Sequence, residues 1–296
     1  METNESAETI LPSEVRRFIR DADLFLEKPP LIFKLTQLVG RPLEGALKTL
    51  PDSVQTHISS VTRKALHSAL RAAFKTLGRT RQSNLKSRTA PFSENLLKST
   101  DSGRFHNAAA AITGTLGGFF GLATLPFELP VSTVLILRSI AQIAADFGED
   151  LEDPETQLDC LFVFAVGSPV PPSEKAKTTG YYSARYAFGK MAQEAAAYLT
   201  SRGISEVGEA LTKSSSPLLV KLLGQVASRF QLVVTEKFVA QAVPIIGAAA
   251  GGAINLAFSQ HFNQAARFHF GLKSLERRFG KEAVAAAYPR FTHDPS

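Results

Sequence analysis

Apolar positions along the chain recur at steps of three and four, the period of helices, and almost nowhere at the alternation of strands. In DSVQTHISSVTRKALHSALRAAFKTLG, Val54, Ile58, Val61, Ala65, Ala69, Ala73 and Leu77 form one stripe, which predicts an amphipathic helix over 53–77 ending at Gly78. VSTVLILRSIAQIAADFG, after Pro130, is apolar nearly all round, which predicts a buried helix with Gly148 as its C-cap. EDPETQLDCLFVFAVG follows, with Asp153 as N-cap and Pro154 at the first helical position. GSPVPPSEK reads as a loop. TGYYSARYAFGKMAQEAAAYLTSRG reads as a helix with Tyr182, Tyr186, Gly189, Gln193 and Ala196 on one side. A further helix starts at Ser216-Pro217 and runs through the β-branched QLVVT. The last long helix has a heptad seam of Ile254, Phe258, His261, Ala265, Phe268, Leu272, Leu275 and Phe279, with His261 as its only polar member. The expected fold is all-α: a single multi-helix domain over 13–285, with a disordered tail at 1–12, a C-terminal tail at 286–296 and the basic helix on the outside.

Two segments break the amphipathic pattern. Asn107–Phe127 is 21 residues without a charge, and Phe238–Gln260 is 23. Each carries glycines four apart: Gly114/Gly118 and Gly117/Gly121 in the first, Gly247/Gly251 in the second. Small residues at that spacing let helix backbones approach closely, so two Gly-rich helical hairpins are expected to pack together centrally. Either segment is long enough to span a bilayer, but both are rich in Gly and Ala rather than Leu, Ile and Phe. Buried core, reversible insertion at an interface and a permanent span all remain open.

Charge changes this picture. The chain carries a net +6, and the stretch from Val61 to Arg104 alone carries +8. Arg63, Lys64, Arg71 and Lys75 lie on the polar face of the first long helix, where they suit an anionic surface such as lipid headgroups. Nucleic acid fits less well, because that stretch offers only Phe74 and Phe92 for stacking on bases. The N-terminal METNESAETI is acidic and lacks an apolar signal region, so a cytoplasmic protein is expected, peripheral to the inner face of the membrane. The lone Cys160 excludes an internal disulfide.

Candidate chemistry is sparse. There is no P-loop, H-E-x-x-H, C-x-x-C or G-x-S-x-G, so neither metal nor cofactor is expected. What stands out is Glu128, set between Pro126 and Pro130 in an apolar run. It can serve the helix start near Pro130, pair with a cation such as Arg138, or act with His261 or His269 in a hydrolytic site.

Three blocks resemble the EcsC protein family: GTLGGFFGLATLPFELPVSTVLILRSIAQIAADFGEDLEDPETQLDCL, GYYSARYAF and AQAVPIIGAAAGGAINLAFSQHFNQAARFHFGLKSLERRFG. They span roughly 65–280 in the same order. The resemblance implies that Pro126, Glu128, Pro130, Gly247, Asn255, His261 and His269 lie in the family's characteristic blocks. It also implies a link to a transporter, since the family is named for a bacterial protein encoded beside an ABC transporter, and a loosely attached hydrolase role. The expectation is therefore a membrane-associated accessory or binding protein whose partner is an anionic membrane surface or a membrane protein. The alternative is a hydrolase using Glu128 with His261 or His269.

Overall fold

A computed structural model describes residues 11–39, 43–76, 86–101, 125–170, 180–202, 217–242 and 248–288. The described residues contain helices and no strand. In chain order these are α1 (Ser13–Glu27), α2 (Leu31–Val39), α3 (Glu44–Lys48), α4 (Asp52–Thr76), α5 (Leu125–Asp146), α6 (Pro154–Val166), α7 (Gly180–Arg202), α8 (Pro217–Gln241), α9 (Ala248–Phe279) and α10 (Lys281–Ala286). Residues 86–89 and 92–101 are also helical. The core takes in Leu11 and Tyr288, just outside the expected domain limits at 13 and 285.

The central element is α9, which packs on α5, α1, α2, α6, α8 and α10. Its predicted seam is buried from Ile254 to Leu275, with Phe279 half-buried at its end. A single seam understates the helix, however. Phe262, Ala266, Phe270, Asn255, Ser259, Asn263, His269, Ser274 and Glu276 are buried as well, so neighbours enclose it on nearly every side. Aromatic contacts fill the space around it: Phe262 lies 5.0 Å from Phe164, 5.5 Å from Phe230 and 5.2 Å from Phe258, ring centre to ring centre.

The helix limits follow local chemistry. At the end of α5, Gly148 takes φ +84°, its N–H donates to Ala145 O, and the Glu149 N–H donates to Ala144 O. This is a Schellman C-cap, which needs the left-handed conformation that glycine adopts freely. Asp153 caps α6 by accepting from the Glu155 N–H at 3.0 Å, with Pro154 at the first position. QLVVT is helical within α8.

One expectation changes: α5 does not begin near Pro130 but runs from Leu125, with Pro130 inside it. As the sixth residue of α5, Pro130 forfeits the one bond its N–H would have made to the Pro126 carbonyl, a loss close to the helix start through which the helix continues. Within the 238–260 run, α8 ends at Gln241 and α9 starts at Ala248. α7 buries Tyr181, Ala184, Phe188, Ala192, Ala195, Ala196 and Leu199; of the side shared by Tyr182, Tyr186, Gly189, Gln193 and Ala196 only Ala196 is buried, while Tyr186 is 79% exposed and Gln193 is exposed. The contact that orients it is the stack of Phe188 on Phe162 at 4.2 Å. α4 keeps its basic face outside, with Arg63, Lys64 and Arg71 exposed, and commits its predicted apolar stripe to the core. It buries Ile58, Val61, Ala65, Leu66, Ala69 and Leu70 and packs chiefly against α5 and α8. Gly114, Gly117, Gly118, Gly121 and Gly247, on which the hairpin expectation rests, lie outside the described residues, and Gly251 falls in the first turn of α9.

Gly271 of α9 faces Phe18 of α1, and a Cβ there would sit 2.3 Å from the Phe18 ring. Helix propensity alone would favour Gly271→Ala by up to about 1 kcal/mol. Overpacking of a filled core opposes this with about 1–3 kcal/mol. Urea unfolding should therefore show net destabilisation, relieved when Phe18→Leu is added; a stabilised single variant would contradict this packing.

Candidate functional site

The first site forms where three helix ends meet: the start of α5, the end of α8 and the first turns of α9. Glu128 lies in the first turn of α5, and its Oε1 accepts from Lys237 Nζ of α8 at 2.6 Å. Lys237 is 0% exposed, and the Glu128 carboxylate is nearly so. Gln241, one turn after Lys237, donates from Nε2 to the same oxygen at 3.4 Å. The Lys237 ammonium also sits 5.0 Å from the Phe258 ring centre on α9, within cation–π range. Burial alone would raise the Glu128 pKa, but the Lys237 charge and hydrogen bond outweigh it and hold the carboxyl below its usual range. Asn255 of α9 lies close enough to help keep that carboxylate ionised, yet neither its Oδ1 nor its Nδ2 completes a hydrogen bond.

Neither candidate histidine joins Glu128. His261 sits against the C-terminal cap of α6, where its Nε2–H donates to Gly167 O at 2.5 Å. That bond satisfies a helix-end carbonyl and fixes the tautomer, leaving Nδ1 buried without a partner. Desolvation pushes the His261 pKa down to about 4, so the ring is neutral at physiological pH. His269 lies 14 residues beyond Asn255 on the same helix, about 21 Å along its axis. It belongs to a second polar cluster.

In that cluster His269 Nε2 faces Asp159 Oδ1 of α6 at 3.4 Å without completing a hydrogen bond. With the proton on the nitrogen facing the carboxylate, the Tyr181 hydroxyl donates to Nδ1 at 2.9 Å. Asp159 is also bonded to Lys273, which reaches Glu149 at 3.2 Å, and Glu149 is bonded to Arg277. Arg185 forms a bidentate pair with Glu276, both bonds at 2.7 Å. The carboxylates thus have cations opposite them, as buried charges require. Burial would raise the Asp159 pKa, but Lys273 and His269 hold it far below the usual range. Burial lowers the His269 pKa more than Asp159 raises it, and burial pushes the Tyr181 phenol well up. The order carboxylate, imidazole, hydroxyl therefore ends in a phenol held neutral. It ties α6, α7 and α9 together and supplies no activated nucleophile. Among the described residues no group of three or more His, Cys, Asp or Glu is placed to hold a metal ion.

A model of the EcsC protein family matches residues 27–275 of the 296-residue chain. The chain belongs to the EcsC protein family. No curated protein and no solved structure gives a match. Within this EcsC domain the sequence points to Glu128, His261 and His269 but misses Lys237 and the Asp159–Lys273–Glu149–Arg277 network. The available signals were Lys237 inside an apolar helix, and Lys273 and Glu276 set among the apolar positions of α9. Arg138, one candidate partner for Glu128, is exposed. On α4, Arg63, Lys64 and Arg71 are exposed, and the Lys75 side chain lies outside the described residues.

Two outcomes follow from the buried charges. Glu128→Gln or Lys237→Met alone should cost about 3–5 kcal/mol, because each strands the other group, whereas the joint change to Glu128→Leu and Lys237→Met should recover most of that. Additive losses in urea unfolding would contradict the pairing. Glu236, buried beside Lys237 on α8, has its pKa raised by desolvation to about 7. Its neutral form stabilises the fold below the ordinary carboxyl pKa, and that stability is lost as pH rises towards about 7. The opposing histidine contributions are common to both proteins, so the Tm advantage of Glu236→Gln over the parent should grow between about pH 4.5 and 7. A constant difference would contradict it.

Proposed function

We propose that this protein is a membrane-associated accessory or binding protein that works on the cytoplasmic side of an anionic membrane surface. The observation that supports the reading is the two-faced build of α4. Its apolar side is committed to the core against α5 and α8, while Arg63 and Lys64, with Arg71 two turns on, stand on the outward side. A cationic face held rigidly by a packed helix attracts an anionic bilayer through its surface potential. Two helices, α5 and α8, are also long and apolar enough to cross a membrane by length and composition. About half of each apolar stretch is buried inside the protein, and the same test is passed by core helices, so the reading rests on surface binding. A link to a transporter, as the family's naming suggests, would place such a protein beside its membrane partner. The hydrolase alternative needs Glu128 to meet His261 or His269, and all three have other partners.

Co-sedimentation with anionic liposomes tests the reading. Binding should be present at low salt and decline as ionic strength rises. Replacing Arg63 and Lys64 by Gln should weaken it by about 1 kcal/mol per charge, roughly fivefold each. Absence of binding at low salt would contradict the proposal.

A further inference from the structure

The start of α5 presents an apolar face that no described element covers. Phe127 is 78% exposed and Val131, one turn on, is 52% exposed. Pro126 and Pro130 flank them and add no charge. The next exposed position on this face is Arg138, eleven residues after Phe127 and thus about three turns away, roughly 16 Å along the axis. Val134 and Leu135, between them, are half-buried. The one acidic group in the segment, Glu128, is turned inward and consumed by Lys237. The outward side of the tip is therefore apolar and uncharged, with a cation set back from it.

Resting on the membrane reading above, we infer that the N-terminal tip of α5 is the part of the protein that enters the bilayer, with Phe127 and Val131 in the acyl region and Arg138 on lipid phosphates. An interfacial apolar face sinks about 5–10 Å past the headgroup boundary. With α5 entering tip first, a side chain about 16 Å behind Phe127 comes to the headgroup layer, where a guanidinium meets phosphate oxygens. Charge complementarity selects an anionic bilayer as the occupant. Arg138 is an exposed cation without an ionic partner among the described residues, and α4, the helix packed most extensively on α5, adds Arg63 and Lys64. The Glu128–Lys237 pair then has a second consequence: it keeps a carboxylate off the surface that approaches anionic headgroups.

The chain contains no tryptophan, so Phe127→Trp gives a unique fluorophore at the tip. It is compared with Tyr186→Trp, at an equally exposed position on α7. Vesicles of phosphatidylcholine with phosphatidylglycerol should shift the Phe127→Trp emission to shorter wavelength, and lipids brominated on the acyl chain should quench it. Tyr186→Trp should remain solvent-like. Phe127→Ser combined with Val131→Ser, both exposed and so folded with an unchanged thermal transition, should weaken co-sedimentation about tenfold or more. If the wild-type chain co-sediments but the Phe127→Trp emission is unchanged and the double serine variant binds normally, the tip faces something other than lipid. The inference is then wrong, while the surface-binding reading stands. If the wild-type chain does not bind these vesicles, both fall.

Discussion

Burying a carboxylate and an ammonium together is costly, and the structure does so at the junction of α5, α8 and α9. Lys237 is wholly buried in an apolar helix and has Glu128 as its ionic partner. Removing either leaves a charge in the core, so the relative placement of the start of α5 and the end of α8 is fixed by electrostatics rather than by shape alone. That placement decides what the first turns of α5 expose. With Glu128 drawn inward, Phe127 and Val131 are directed outward. The carboxylate organises the tip by leaving its surface.

The far half of α9 solves a similar problem with more members. Asp159, Glu149 and Glu276 are matched by Lys273, Arg277 and Arg185, and His269 and Tyr181 complete the set. Such a network specifies one arrangement of α6, α7 and α9, because a shift of any helix strands a charge. The histidines fit the same logic. His261 satisfies a carbonyl at the end of α6, and His269 bridges a phenol and a carboxylate. Both are kept neutral by burial, which suits a structural hydrogen-bonding role better than proton transfer near neutral pH.

The all-α fold, the cap of α6 at Asp153 and Pro154, the Gly148 terminus of α5 and the apolar seam of α9 were legible because each rests on local chemistry or on a 3.6-residue period. The orientation of α7 was not. Its tyrosines and alanines give a weak apolar moment, and what turns it is the Phe162–Phe188 stack, a contact remote in sequence. Pro130 misled in the opposite way, since a proline near a helix start is tolerated. The ionic partners were hidden for a different reason. Hydrophobic periodicity assigns charged residues to the surface, and it has no means of showing that Lys237, Glu276 and Asp159 are each matched by an opposite charge from another helix. Glu128 could be singled out as anomalous, but its partner lies 109 residues away.

Glu128 and Glu236 flank Lys237 in space and in sequence respectively, yet only Glu128 receives its charge. Carboxyl-carbon NMR titration of the two side chains is the most direct test. Glu128 should stay ionised below the ordinary glutamate range and lose that shift in Lys237→Met, while Glu236 titrates near 7. A Glu128 resonance that titrates at or above the ordinary glutamate value in the parent protein would contradict the ion pair on which this account of α5 depends.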